Sequence, residues 1–370
     1  MEHQNCTLCL MDITDLDIEF DSEGVCNHCG DAAGKIHNYQ FSKGDSEANL
    51  RNLATKIKKG QRGEYDSILG LSGGVDSSYV AYLAKQMGLN PLCVHFDNGW
   101  NSDVAVKNIK NIIDVTGFDL YTYVIDWPEF RDLQRAFFKA GVVDIEMLTD
   151  HAIFASLFKI RKDHKITTVL SGTNYTTEHG MPRKWSWGKM DLKNIKAIQK
   201  QFGEMKIKSF PTMNTLYWLL MRQFNFGGTF EEPLNKINFR KGDAMKVLAR
   251  EFSWQYYGGK HYESVFTKFY QAYILPTKFG IDKRKMHLSG LIRNDELSRE
   301  DALSELKKSL YDEYELKRDK AFVLKKLGFS ESEFDLMMVK KPIPHDFYAT
   351  DQTYILPLIK FAKFFFKSSN

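Results

Sequence analysis

The chain has 370 residues, 43% hydrophobic and 26% charged, with a formal net charge of +4. That length supports two or three domains and a sizeable core, and the composition is that of a soluble globular protein. So small a charge gives no support to a nucleic-acid partner.

The opening "MEHQNCTLCL" lacks the basic and apolar regions of a signal peptide, so a cytoplasmic protein is expected. Residues 1–40 read as a separate module. Cys6-x-x-Cys9 is followed by sixteen residues and then Cys26-x-x-Cys29. The spacing predicts a zinc ribbon with four thiolates around one structural Zn²⁺. "DLDIEFDSEG" between the knuckles alternates apolar and polar residues, and a short hairpin is expected there. Next, Leu50, Leu53 and Ile57 share one face of an amphipathic helix. Residues 41–190 then alternate strand and helix. "SILGL", "PLCVHFD", "LYTYVID" and "ITTVLSG" read as strands, with helices over Val75–Met87 and Val104–Val115. This pattern predicts an α/β fold with a parallel sheet and its ligand site at the strand C-termini. From about residue 190 the alternation stops, and 191–370 reads as mainly helical, with Ser298 and Asp301 resembling a capping box. No apolar run approaches the roughly 20 residues of a membrane span. The nearest, "YILPLIKFAKFFF", is broken by Pro357, Lys360 and Lys363. No membrane contact is expected.

The chemistry concentrates on "LSGGVDSS", Leu71 to Ser78, between the first strand and its helix. Gly73 and Gly74 allow a tight turn and close approach to a ligand. The helix start aims N–H groups at an anion, and Ser72, Ser77 and Ser78 add hydroxyls. Asp76 would repel a phosphate unless a cation lay between them, which implies Mg²⁺. There is no G-x-x-x-x-G-K-[ST] in the chain.

This string resembles the PP-loop of the N-type ATP pyrophosphatases, which cleave ATP between the α- and β-phosphates. The resemblance implies a HUP-like ATP-binding domain. It also implies a nucleotide site completed by His95, Asp97 and Asn98 after the second strand, and by Gly172, Thr173 and Asn174 after the fourth. "DIEMLTDHA" offers Asp144, Glu146 and Asp150, of which Asp150 is the catalytic candidate. In the superfamily, lysines beyond the nucleotide domain neutralise the departing pyrophosphate. Lys260, beside His261, is the candidate by placement. Trp100, Asn101, Glu178, His179, Glu263 and Lys278 are expected to face the substrate.

Together with the N-terminal cysteine pairs, "HFDNGWNSD", "SGTNYTTEHG" and "GGKHYESVFTKFYQ" resemble the N-acetyl sugar amidotransferases, the WbpG- and PseA-like proteins of bacterial surface-glycan (lipopolysaccharide, O-antigen and flagellin glycan) biosynthesis. The resemblance implies an N-acetylated sugar substrate whose acetamido oxygen is adenylated by ATP and replaced by ammonia, leaving an acetamidino group. Four cysteines belong to the ribbon and Cys93 lies in a buried strand, so no glutaminase nucleophile is expected in this chain. The family therefore implies a separate ammonia-supplying pair resembling HisH and HisF, docked on the ribbon or the aromatic C-terminal segment. A homodimer is compatible with the sequence. Two rival readings are a tRNA-thiolating PP-loop enzyme and a non-catalytic nucleotide-binding subunit. Thiolation needs a catalytic cysteine or a cluster, and one Cys93 cannot hold a cluster.

Overall fold

The computed structural model describes residues 4–39, 45–224, 228–259, 262–355 and 357, with the backbone alone at 35–39 and 222–224. Five strands, β1 (Ser67–Gly70), β2 (Pro91–Asp97), β3 (Leu120–Val124), β4 (Thr168–Leu170) and β5 (Thr229–Glu231), form one sheet in the order β3-β2-β1-β4-β5. Every pairing is parallel. β1 and β4 are central and read as near-continuous apolar runs because both faces are covered. Ile68, Leu69, Val169 and Leu170 are all buried. β3 is an edge strand, and it leaves Leu120, Tyr121 and Val124 exposed.

The helices start and stop where local chemistry dictates. Ser102 caps the helix Asp103–Thr116 by accepting from the Ala105 N–H, and Gly117 ends it at φ 70°. Asp126 likewise opens Trp127–Ala140, and Gly141 closes it in the left-handed region. One sheet face is covered by helices Ser46–Lys59, Val75–Gln86, Asp103–Thr116 and Lys241–Phe252, whose apolar side chains form one core. A second core on the other face includes Phe158 of helix Met147–Asp163. A third joins helices Trp127–Ala140, Glu313–Leu327 and Glu331–Val339 to the four N-terminal cysteines.

Three expectations are corrected. The alternation does not end at residue 190: β5 adds to the sheet beside β4 from within the stretch read as helical. Three residues of strand between polar segments give too short a period-2 signal to be seen. The ribbon holds no regular hairpin at "DLDIEFDSEG"; isolated antiparallel bridges Asn5–Asp12 and Phe20–Cys26 close its turns instead. Ser298 caps its helix, but the Asp301 carboxylate takes the Ser298 hydroxyl at 2.7 Å, and the reciprocal capping box is at Ser330 and Glu333. Among the described residues no helix is long and apolar enough to cross a membrane.

Candidate active site

The sheet runs β1 to β3 in one direction and β4 to β5 in the other, so the crevice beyond β1 is its topological switch point. The "LSGGVDSS" turn occupies that position. Gly73 has φ +78°, and a Cβ there would lie 2.5 Å from the Ala105 carbonyl oxygen. Its own carbonyl accepts from Trp254 Nε1 at 2.9 Å and Asn108 Nδ2 at 3.3 Å, which pins the turn from behind. The Ser72 hydroxyl accepts from the Gly74 N–H at 3.2 Å and meets the Ser77 hydroxyl at 3.1 Å. Tyr257 Oη accepts from the Val75 N–H at 3.2 Å. Burial and the Glu263 and Asp76 carboxylates push the Tyr257 phenol up, so it stays neutral. The loop after β4 closes on the same turn: a Cβ on Gly172 would sit 3.1 Å from the Ser77 nitrogen and 3.3 Å from the Asp76 Cβ.

A cavity of about 410 Å³ opens beside this turn, walled by Leu71 and Ser72 after β1 and by His95 and Asn98 of β2 and its exit loop. His95 Nδ1 lies 3.4 Å from the Leu71 carbonyl and its Nε2 lies 3.2 Å from Asn101 Nδ2. Burial lowers the His95 pKa, so the ring is neutral near pH 7. The facing wall carries Glu146, Asp150, Lys189, Glu263, Gln271 and Lys283. Lys189 bridges Asp144 at 2.7 Å and Asp150 at 3.0 Å. Burial pulls the Lys189 pKa down, but the two carboxylates outweigh it and hold the ammonium charged. Asn101 pairs with Ser264 across a bridge, and Ser102 N–H donates to the Glu263 carbonyl at 2.8 Å. A second cavity of about 640 Å³ adjoins the first, sharing Gln271, Lys283 and His287, and adds Tyr256, Tyr262, Lys241 and Lys308.

Seven expected site residues line the first cavity: Leu71, Ser72, His95, Asn98, Asn101, Asp150 and Glu263. Glu146, offered by the same segment as Asp150, lines it too. Gly73, Gly74, Asp76, Ser77 and Gly172 form the turn and its neighbour. Ser78 is buried, its hydroxyl included, and it lines neither cavity. Asp97 organises its own loop by accepting from Gly99 N–H at 2.8 Å and Asn101 Nδ2 at 3.2 Å. Thr173 bonds Ser171, and Asn174 caps the short helix Tyr175–Glu178. Trp100 lines neither cavity: it is 1% exposed, donates to Gln134 at 3.0 Å and packs on Phe266 and Trp127. Lys278 lies elsewhere too, donating to the Lys340 carbonyl at 2.8 Å. Glu178 and His179 are absent from both cavity walls; His179 stacks on Tyr175, with ring centroids 4.3 Å apart. Lys260 and His261 lie outside the described residues. Sequence reasoning misses Lys189, Gln271 and His287 as site residues. Lys189 lies in a turn and Gln271 and His287 in helices, and it is long-range packing that turns all three to the cavity.

Cys6, Cys9, Cys26 and Cys29 are buried with sulfurs all within 4.8 Å of one another. The Cys6–Cys29 and Cys9–Cys26 separations are 4.0 and 3.7 Å. Tetrahedral zinc thiolates stand about 3.8 Å apart, so the cluster fits structural Zn²⁺. The Cys9 and Cys26 N–H groups point at Cys6 Sγ from 3.4 and 3.3 Å. The module is fixed to the helical region: Leu10 N–H donates to Ser289 Oγ at 3.0 Å, and Arg299 reaches the Cys6 and Cys9 carbonyls at 3.2 and 3.4 Å.

Residues 48–209 match the NAD synthase family model, and residues 263–363 match the C-terminal domain of the LPS biosynthesis protein WbpG-like family. An uncharacterized protein of Methanocaldococcus jannaschii is 31% identical over 130 residues, 34% of this chain and 45% of that protein. The tRNA(Ile)-lysidine synthase of Chlamydia pneumoniae is 36% identical over 18% of this chain and 23% of its own length. The glutamine-hydrolyzing GMP synthase of Pseudoalteromonas atlantica is 38% identical over 22% of this chain and 16% of its own length. The chain thus spans less than half the length of each of these relatives. The solved NMN synthetase of Francisella tularensis is similar over 36% of this chain and 57% of that one, at 17% identity and a TM-score of 0.30. The chain thus joins a PP-loop domain of the NAD synthase type, over residues 48–209, to a WbpG-like C-terminal domain, over residues 263–363.

Proposed function

We propose that the protein is an ATP-dependent, AMP-forming amidotransferase acting on an N-acetylated sugar in bacterial surface-glycan biosynthesis. The observation that carries this reading is the shared cavity: the PP-loop turn and Glu263, Gln271 and Lys283 of the WbpG-like domain line the same space. ATP would lie with its phosphates on Ser72, Gly74 and Ser77. Asp76 would hold Mg²⁺, which supplies positive charge to the phosphates. The adjoining cavity, with its tyrosines and lysines, suits a sugar and an anionic carrier group.

The chain's residues then perform three tasks. The turn and the β2 loop place the acetamido oxygen in line with the α-phosphorus, which counts for much because an amide oxygen is a poor nucleophile. Lys189 and Lys283, both on the cavity wall, stabilise charge as pyrophosphate leaves. Neutral His95 and the Asn98 and Asn101 amides supply hydrogen bonds without adding charge. Ammonia then displaces AMP at the activated carbon. No glutaminase nucleophile stands out, since Cys93 is buried and its thiol is pushed up to about 12. We therefore assign ammonia supply to a separate glutaminase and cyclase-type pair, with a homodimer as the proposed assembly.

The test supplies purified protein with ATP, Mg²⁺, ammonium and a panel of free and nucleotide-linked N-acetylated sugars. AMP and pyrophosphate, together with a sugar in which NH replaces oxygen, support the reading. AMP formed only with tRNA and a sulfur donor would move the protein to the thiolation class.

A further inference from the structure

Glu146 has no part in the steps above, yet its carboxylate faces the first cavity. Its side chain is only 12% exposed, and its environment is built rather than incidental. Gln271 Nε2 donates to Glu146 Oε2 at 3.1 Å. Lys283 Nζ stands 3.9 Å from the same oxygen, beyond direct hydrogen-bond reach. Gln271 and Lys283 are two of the three residues that both cavities share. The carboxylate therefore stands where the nucleotide-side cavity meets its neighbour. Asp144 and Asp150, by contrast, are both taken by Lys189.

The charged and titratable groups around Glu146 are Lys283, Asp150 and Tyr270, with Asp144 and Lys189 behind Asp150. His95, His287 and Glu263 face the same cavity. Burial pushes the Glu146 carboxyl up, against Lys283 and the Thr267 and Gln271 hydrogen bonds. The direction suits a group that must accept a proton near neutral pH.

We infer that Glu146 is the general base for the nitrogen nucleophile. This rests on the amidotransferase reading. The lone pair of NH₃ forms the C–N bond to the adenylated carbon, giving a tetrahedral adduct with a cationic nitrogen. That nitrogen passes one proton to Glu146. The C–O bond to AMP then breaks, and its electron pair leaves on the phosphate oxygen. The incoming nitrogen keeps two hydrogens and the original amide nitrogen keeps its own, so the product is the amidinium. Gln271 aims the carboxylate, and Lys283 keeps the ionised form available.

The test separates the two half-reactions in Glu146→Gln, using the N-acetylated sugar that wild type turns over. ATP–pyrophosphate exchange reads adenylation and folding, and amidine formation reads transfer. We expect exchange within a few-fold of wild type and transfer from ammonia down by ~100-fold or more. The acid limb in the wild-type pH profile of kcat/KM for NH₃ should vanish in the variant. Hydroxylamine, whose nitrogen is a stronger acid once bonded, should recover most of the loss. Glu146→Asp, which withdraws the carboxylate but keeps it, should lose transfer more than exchange. Equal losses of exchange and transfer in both variants would overturn the assignment, as would wild-type transfer in Glu146→Gln. Absence of exchange in wild type with every sugar would instead overturn the amidotransferase reading, and this assignment with it.

Discussion

Gly73 carries the tightest constraint on the nucleotide turn. Its positive φ costs an ordinary residue about 1–2 kcal/mol, and a Cβ there has nowhere to go against the Ala105 backbone. Gly73→Ala should therefore leave the sheet folded but weaken ATP binding by at least tenfold, measured by calorimetric titration; unchanged affinity would remove the turn from the site. This residue was legible in the sequence, because a glycine pair between a strand and a helix has few other uses. Trp100 and Lys278 were not. An aromatic just past the end of β2 reads as a ligand contact until its partners are known. Those partners, Phe266 and Lys326, come from far along the chain. Lys278 is likewise decided by the end of a helix some sixty residues away. Basic and aromatic residues are chosen or discarded as site residues by packing that periodicity does not encode.

Among the elements, the four-cysteine module is coupled to the cavity walls. Leu10 and the Cys6 and Cys9 carbonyls are tied to Ser289 and Arg299, and Asp12 is paired with Lys285. Ser289 and Lys285 lie on the helix Arg284–Arg293, which also carries His287 of both cavities. Stripping the metal, or Cys6→Ser, should lower Tm by roughly 10 °C and weaken substrate binding together. A metal-free protein with unchanged Tm would show that the four thiols need no ion. The ribbon was legible because the two cysteine pairs fix their own geometry. Its docking was not, since Ser289 and Arg299 carry no sign in the sequence that they meet residues near its start. The sheet shows the same division. β1, β2, β3 and β4 stood out as strands between helices, whereas β5 depends on β4 for its identity.

For the whole molecule, pH tests how the buried polar groups are held. His345 is buried between Asp144 and Asn194, with Nε2 accepting from the Asp144 N–H at 3.1 Å. Burial lowers its pKa from an ordinary 6.5 to about 4, against the raising effect of Asp144. Below pH 6.5 the unfolded chain takes up a proton that the folded chain refuses. The stability it contributes is therefore full above that pH and falls as the pH drops toward 4, by up to ~3 kcal/mol. Denaturant unfolding at pH 7 and pH 5 should show the loss, and His345→Gln should flatten it; an equally steep dependence in the variant would assign it to other groups. In the proposed reaction a sugar acetamido oxygen attacks ATP at the α-phosphorus. The most direct measurement uses the sugar that is turned over, labelled with ¹⁸O in its acetamido group, with mass spectrometry on the nucleotide product. Attack at the α-phosphorus yields AMP carrying one ¹⁸O in its phosphate, and unlabelled pyrophosphate. Unlabelled AMP, or ADP with labelled inorganic phosphate, would contradict it.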